Sequence, residues 1–277
     1  MTRIHNESVW TTVVTLQVDD DIVDSVWQAL LHESLTFLHD VDRVFSTFRD
    51  DSFIKLYAKD PEAIKLKEIS RPSKFRHYVP YVLDGFTTEA LSAFEIIESL
   101  CVAAQWKTNG AFNAWRNNEY DPIGLVKGWA ADEVLAIIRA YGVKQAFVNA
   151  GGDIACVAEM EPWRMAVENP NDTMTALGFL EINSGALCTS GTYQKGQHID
   201  TKVEDTFVSV TISGPSAALA DAYATAAIAD GLQAFEWIEM LGDDWGMIAM
   251  SGDGTMLYTH NWHLDDHEFK FQHSKES

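Results

Sequence analysis

The run Val9–Val18 is rich in β-branched residues and alternates Trp10, Thr12, Val14, Leu16 and Val18 on one face, which predicts a strand laid against a core. Asp19 to Asp21 end it. From Ile22 to His39 the apolar period lengthens, with Val23, Trp27, Leu30, Leu31, Leu35 and Leu38 at helical spacing. Residues Thr88 to Leu100 repeat that pattern, and the stretch between is polar and irregular. Lys127 to Tyr141 places Ala130, Val134, Ile137, Ile138 and Tyr141 on one stripe, with Gly142 positioned to end the helix. The following AFVNA reads as a short buried strand that runs into Gly151-Gly152-Asp153, where paired glycines permit backbone geometry that a Cβ would hinder. Further strands are predicted at Trp163–Val167 and Thr206–Ile212. The clearest helix, Ser216–Asp230, follows Pro215, has Ser216 as N-cap, is dense in alanine and stops at Gly231.

Helices and strands in mixed order, without a βαβ cadence, predict an α+β fold with sheets flanked by helices. Neither a Rossmann nor a P-loop fingerprint is present. No linker, repeat or low-complexity tract divides the 277 residues. We therefore expect a single domain over 1–277, of a length that also allows two lobes, with a polar tail from about residue 260.

Composition narrows the partners. Apolar residues make up 47% and charged residues 22%, the mix of a packed globular chain. Against 20 basic side chains stand 41 acidic ones, a formal charge of −21 that repels nucleic-acid backbones and anionic lipid. An anionic ligand would need a local cation, a helix N-terminus or a metal. Cys101, Cys156 and Cys188 are odd in number and widely spaced in apolar surroundings, which reads as buried free thiols in a reducing compartment. MTRIHNESVW lacks the apolar core of a signal peptide, and no segment holds ~18 uninterrupted apolar residues. The expectation is a cytoplasmic protein without membrane insertion.

Four constellations carry chemistry. Asp221 and Thr225 lie four apart on the last helix, so their oxygens share a face and suit a hard cation such as Mg²⁺; on spacing alone an exposed Asp and a Thr bonded back to its own helix is the more ordinary reading. The Asn149–Asp153 turn can offer amides and a carboxylate to a ligand, or be a tight turn alone. Thr189-Ser190-Gly191 followed by His198 supplies hydroxyls and a group able to move a proton, although the chain has nine histidines. His260, His263 and His267 with Asp265 and Asp266 have metal-like spacing but read better as a solvated terminus. Asp253-Gly254 is a hairpin turn signal.

Taken in order, these signals resemble the FAD:protein FMN transferases of the ApbE type. The resemblance runs through DRVFSTFRDDSFIKL (42–56), Gly110-Ala111-Phe112, DPIGLVKGWAAD (121–132), VNAGGDI (148–154), Thr189-Ser190-Gly191 with His198-Ile199, and ADAYATAAIADG (220–231). It implies that Asp221, Thr225 and the carbonyl of Val126 hold Mg²⁺. Lys127-Gly128, Gly151, Gly152, Asp153, Thr189 and Ser190 would border FAD as the substrate, and Phe48 would take the place of a tyrosine beside it. The implied reaction is attack by a Thr or Ser hydroxyl of an acceptor flavoprotein on the FMN-side phosphorus of FAD, with release of AMP. Asp221 enters that chemistry as a metal ligand and His198 as an acceptor of the hydroxyl proton. A metal-dependent FAD pyrophosphatase and a non-catalytic FAD carrier are the alternatives. Two departures from the family pattern stand out: Asn113 occupies a position where Asp is usual, and His198-Ile199-Asp200 runs into Thr201-Lys202-Val203 instead of Pro-Arg-Thr-Gly.

Overall fold

The computed structural model describes residues 1–59, 88–116, 119–172, 174–192, 207–260 and 262. Strands β1 (Arg3–Val9) and β2 (Thr12–Val18) form a hairpin whose two turn residues, Trp10 and Thr11, both have positive φ, 54° and 62°. The alternation beginning at Val9 therefore crosses a turn instead of tracing one strand. Primed hairpin turns usually announce themselves with Asn-Gly or Asp-Gly; here neither residue does. Val14, Leu16 and Val18 are fully buried, so the face assigned to the core is correct.

Helix α1 (Asp24–Phe45) runs six residues past the predicted end, because Val41, Val44 and Phe45 continue its buried stripe. A short helix α2 (Phe53–Lys59) follows in the stretch expected to be irregular. Helix α3 (Thr88–Lys107) extends a turn and more beyond Leu100. Two two-residue strands, β3 (Trp115–Arg116) and β4 (Glu119–Tyr120), lead into α4 (Ile123–Ala140). Next come β5 (Gln145–Ala150), β6 (Asp153–Ala158), β7 (Trp163–Glu168), β8 (Ala176–Ile182), β9 (Ser184–Gly191) and β10 (Phe207–Gly214). The chain then forms α5 (Ala217–Asp230), the short α6 (Ala234–Glu239), β11 (Gly246–Ser251) and β12 (Met256–Tyr258).

Eight of these strands make one sheet in the order β1-β2-β5-β6-β9-β10-β11-β12, and every neighbouring pair is antiparallel. Period-2 side-chain geometry then divides the core in two. Ala155 and Val157 of β6, Ala186 and Cys188 of β9, and Met247 and Ala249 of β11 join the large cluster built with α1, α3, α4 and α5. The intervening Cys156, Leu187 and Ile248 point to the opposite face, where Met165, Val167 and Leu180 of the β7–β8 hairpin cover them. Helices thus lie on one face and a hairpin on the other, the α+β arrangement expected. Among the described residues no helix is long and apolar enough to cross a membrane.

Candidate functional site

Helix α5 behaves locally as its sequence dictates. Ser216 adopts an extended backbone and its side chain accepts from the Leu219 amide, while Gly231 ends the helix at φ 60°. Its alanines reflect a tertiary demand, since Ala217, Ala220, Ala222, Ala224, Ala226 and Ala227 are all fully buried between α4 and the sheet. Two glycines of α4 make the close approach possible. A Cβ on Gly128 would lie 2.1 Å from the Ala217 carbonyl oxygen, and one on Gly124 would lie 2.9 Å from the Thr225 hydroxyl oxygen. At Gly124 the backbone also departs from helical geometry (ψ 16°), and four residues on the Gly128 amide donates to an Asp221 carboxylate oxygen at 3.2 Å.

Asp132 locks the two helices in register. Its carboxylate accepts from the amides of Ala217 and Ala218 and from the Ser216 hydroxyl, each at 3.0 Å. It therefore caps the N-terminus of α5 from a neighbouring helix. Burial raises its carboxyl above the ordinary range, and the bonds from Ala218, Ala217 and Ser216 oppose that shift.

Around this pair of helices the site assembles. The Gly151-Gly152 turn has positive φ at both residues, 70° and 103°, and a Cβ on Gly151 would lie 2.5 Å from the Thr12 hydroxyl oxygen. The Gly152 amide donates to Asn149 Oδ1 at 2.8 Å, and its carbonyl accepts from the Thr189 amide at 3.2 Å. Asp153 opens β6 opposite Cys188, fully buried. Lys127 of α4 pairs with Asp153 Oδ2 and lies 3.9 Å from Asp221 Oδ2. Desolvation disfavours this ammonium, but the carboxylates of Asp153 and Asp221 outweigh it, and the Lys127 pKa is raised. The Ser190 and Thr225 hydroxyls meet at 3.2 Å, and Thr189 pairs with Thr211 on the adjacent strand at 2.9 Å.

The structure therefore gathers Lys127, Gly151, Gly152, Asp153, Thr189, Ser190, Asp221 and Thr225, drawn from four segments of the chain, into one place. Val126 precedes Lys127 on α4, two residues after Gly124, which packs against Thr225. Phe48 follows the end of α1 and is 78% exposed. Asn113 accepts from the Trp115 amide at 2.9 Å, a turn-forming role open to the family's Asp as well. His198 and the altered segment after it lie outside the described residues, as do His263, Asp265, Asp266 and His267; His260 faces Glu239 at 3.4 Å.

Sequence reasoning missed Asp132 and Gly124, and placed Gly128 beside FAD without its part in the helix contact. A carboxylate set within the apolar stripe of α4, and glycines spaced four apart near a helix start, were the available signals.

Hard oxygen donors dominate the cluster: the Asp221 carboxylate and the Thr225 and Ser190 hydroxyls. That set fits a small divalent cation, which takes few protein ligands and keeps room for phosphate oxygens. Among the described residues no group of three or more His, Cys, Asp or Glu side chains is placed to hold a metal. A cation here would accordingly draw on hydroxyl and carbonyl oxygens.

Fold and site together define an antiparallel α+β protein with a buried lysine–carboxylate cluster beside a glycine turn. Residues 95–248, more than half of the chain, match the ApbE family. The chain belongs to that family. It is 30% identical over 146 residues to a protein of Salmonella typhimurium named FAD:protein FMN transferase, an alignment covering 46% of this chain and 42% of that one. Against the protein of that name from Escherichia coli it is 30% identical over 116 residues, 36% of this chain and 33% of the relative. The matched segment thus spans less than half the length of these relatives. The fold is shared more widely: an ApbE protein of Thermotoga maritima superposes with a TM-score of 0.70 at 17% identity, over 94% of this chain and 97% of that one. The flavin transferase ApbE of Vibrio cholerae gives 0.69 at 18% identity, over 94% and 98%.

Proposed function

We propose that this chain is a Mg²⁺-dependent FAD:protein FMN transferase, acting on FAD and on an acceptor flavoprotein with a target Thr or Ser. The observation that carries the reading is the meeting of the Lys127–Asp153–Asp221 cluster with the Ser190–Thr225 hydroxyl pair beside the Gly151-Gly152 turn. The names of the relatives point the same way.

In this reading Asp221, Thr225 and the Val126 carbonyl hold the cation. When bound, Mg²⁺ would offset charge on the pyrophosphate oxygens of FAD and help orient them. The chain's own residues do the rest. Lys127 adds a fixed positive charge, which a protein of net charge −21 needs in order to receive an anionic substrate. Gly151 and Gly152 permit backbone approach without a Cβ, and Thr189 and Ser190 offer hydroxyls along the same edge. Phe48, exposed after α1, retains a ring face for stacking. The acceptor hydroxyl attacks the FMN-side phosphorus, the new P–O bond forms as the pyrophosphate P–O bond breaks, and AMP departs. His198 is assigned to take the hydroxyl proton. Three buried free thiols fit a reducing, cytoplasmic setting.

The test is to incubate the protein with FAD, Mg²⁺ and candidate acceptor flavoproteins, following AMP by chromatography and the acceptor by mass spectrometry. An adduct of FMN mass together with AMP is expected, and both should vanish in Asp221→Ala. Free FMN as the main product, indifferent to acceptor, would identify a pyrophosphatase instead. FAD binding without AMP release from wild type would identify a carrier.

A further inference from the structure

Lys127 does something that bordering a substrate does not require. Its stem leaves α4 between the proposed metal-holding carbonyl of Val126 and Gly128, whose amide already donates to Asp221. The ammonium pairs with Asp153, which is fully buried, and faces Asp221, which is 1% exposed, at 3.9 Å. Lys127 itself keeps only 15% of its side-chain surface. Two carboxylates removed from water would repel each other and pay a large desolvation cost if left alone. One ammonium between them leaves the trio with a single net negative charge.

That remainder has a consequence for ligand order. A divalent cation entering beside Asp221 turns the trio's net charge to a single positive one, which suits an anionic pyrophosphate. Without the lysine, the same cation would exactly neutralise the carboxylates and leave nothing for the anion. We infer that Lys127 is a built-in counter-cation that keeps the metal weakly held in the empty site and makes metal and FAD bind cooperatively. The inference rests on the functional reading above. Its physical basis is linkage: whatever the anion adds to metal affinity, the metal adds to anion affinity. Lys127 is in this sense a positioning residue for both.

The experiment measures Mn²⁺ binding to the full chain by electron paramagnetic resonance and calorimetry, with Mn²⁺ alone and with Mn²⁺ plus FAD, alongside thermal unfolding with and without Mn²⁺. Wild type should bind Mn²⁺ weakly alone and more tightly with FAD. Lys127→Met should bind Mn²⁺ alone more tightly, by on the order of tenfold, because a cation about 4 Å from the ligand carboxylate is gone. It should also lose most of the FAD enhancement, and its unfolding temperature should depend more steeply on Mn²⁺. The double variant Lys127→Met with Asp153→Asn restores a single net negative charge and should return metal affinity and metal-free stability toward wild type. Unchanged Mn²⁺ affinity in Lys127→Met overturns the inference, and so does a double variant that stays as unstable as the single one. Asp221→Ala separates the two claims. If it leaves Mn²⁺ binding intact, the metal site itself is misplaced; if it abolishes binding while Lys127→Met changes nothing, only the counter-cation role fails.

Discussion

Replacing Gly128 by alanine sets two known effects against each other. Alanine inside a helix is favoured over glycine by about 1 kcal/mol, so an α4 without neighbours would be stabilised. The added Cβ, however, would meet the Ala217 carbonyl oxygen at 2.1 Å and its carbon at 2.5 Å. These are backbone atoms and have no rotamer to turn aside. Reaching an ordinary contact of about 3.5 Å requires α4 and α5 to separate by about 1.4 Å. That shift would carry the Gly128–Asp221 bond, 3.2 Å in length, and the two amide bonds to Asp132, both 3.0 Å, to the limit of hydrogen bonding or beyond. Overpacking costs about 1–3 kcal/mol, and each weakened bond to a carboxylate adds a part of its ~1.5–3 kcal/mol. After subtracting the helix gain, the net loss is about 3 kcal/mol, roughly 6–12 °C in unfolding temperature for a chain of this size. Differential scanning calorimetry of Gly128→Ala would show it, and Mn²⁺ affinity should fall in parallel because Asp221 moves with α5. A midpoint that stays put or rises would refute the close helix contact on which the site is built.

Gly151→Ala places a side chain at φ 70° and against the Thr12 hydroxyl, so a loss of about 1–2 kcal/mol is expected in urea titration; paired with Thr12→Ser, which removes the adjacent methyl, part of it should return. Burial raises the Asp132 carboxyl above its unfolded value, so the native state holds that proton more tightly. The stability this supplies is full below the unfolded pKa and is lost as pH climbs through the folded one. The difference in midpoint between wild type and Asp132→Asn should accordingly shift in favour of wild type as pH is lowered from 7 toward 4; a difference independent of pH would contradict it. Cys101 and Cys156 are pushed up to about 12 by burial, and Cys188 is raised well above its usual value by the same cause. All three should resist a thiol reagent at pH 8 in the native protein and react together on unfolding; fast labelling of any one would show that its burial is wrong.

The linear chain was sufficient for elements whose cause is local. Ser216, the alanine run and Gly231 specify α5 because capping and propensity act within a few residues, and the fold class followed from the mixed order of periods. The i, i+4 placement of Asp221 and Thr225 was equally legible. Local information failed where a turn lacked its usual residues, at Trp10-Thr11, and where an element continued on packing alone, as α1 does to Phe45. It also had no means of separating Asp132 from any other helical carboxylate, since the amides it caps lie on a helix some 85 residues away. Tertiary structure alone decided that Lys127 faces both Asp153 and Asp221, and that Gly124 and Gly128 are gaps shaped for Thr225 and Ala217. Those relations depend on distances across the core, which no spacing along the chain encodes.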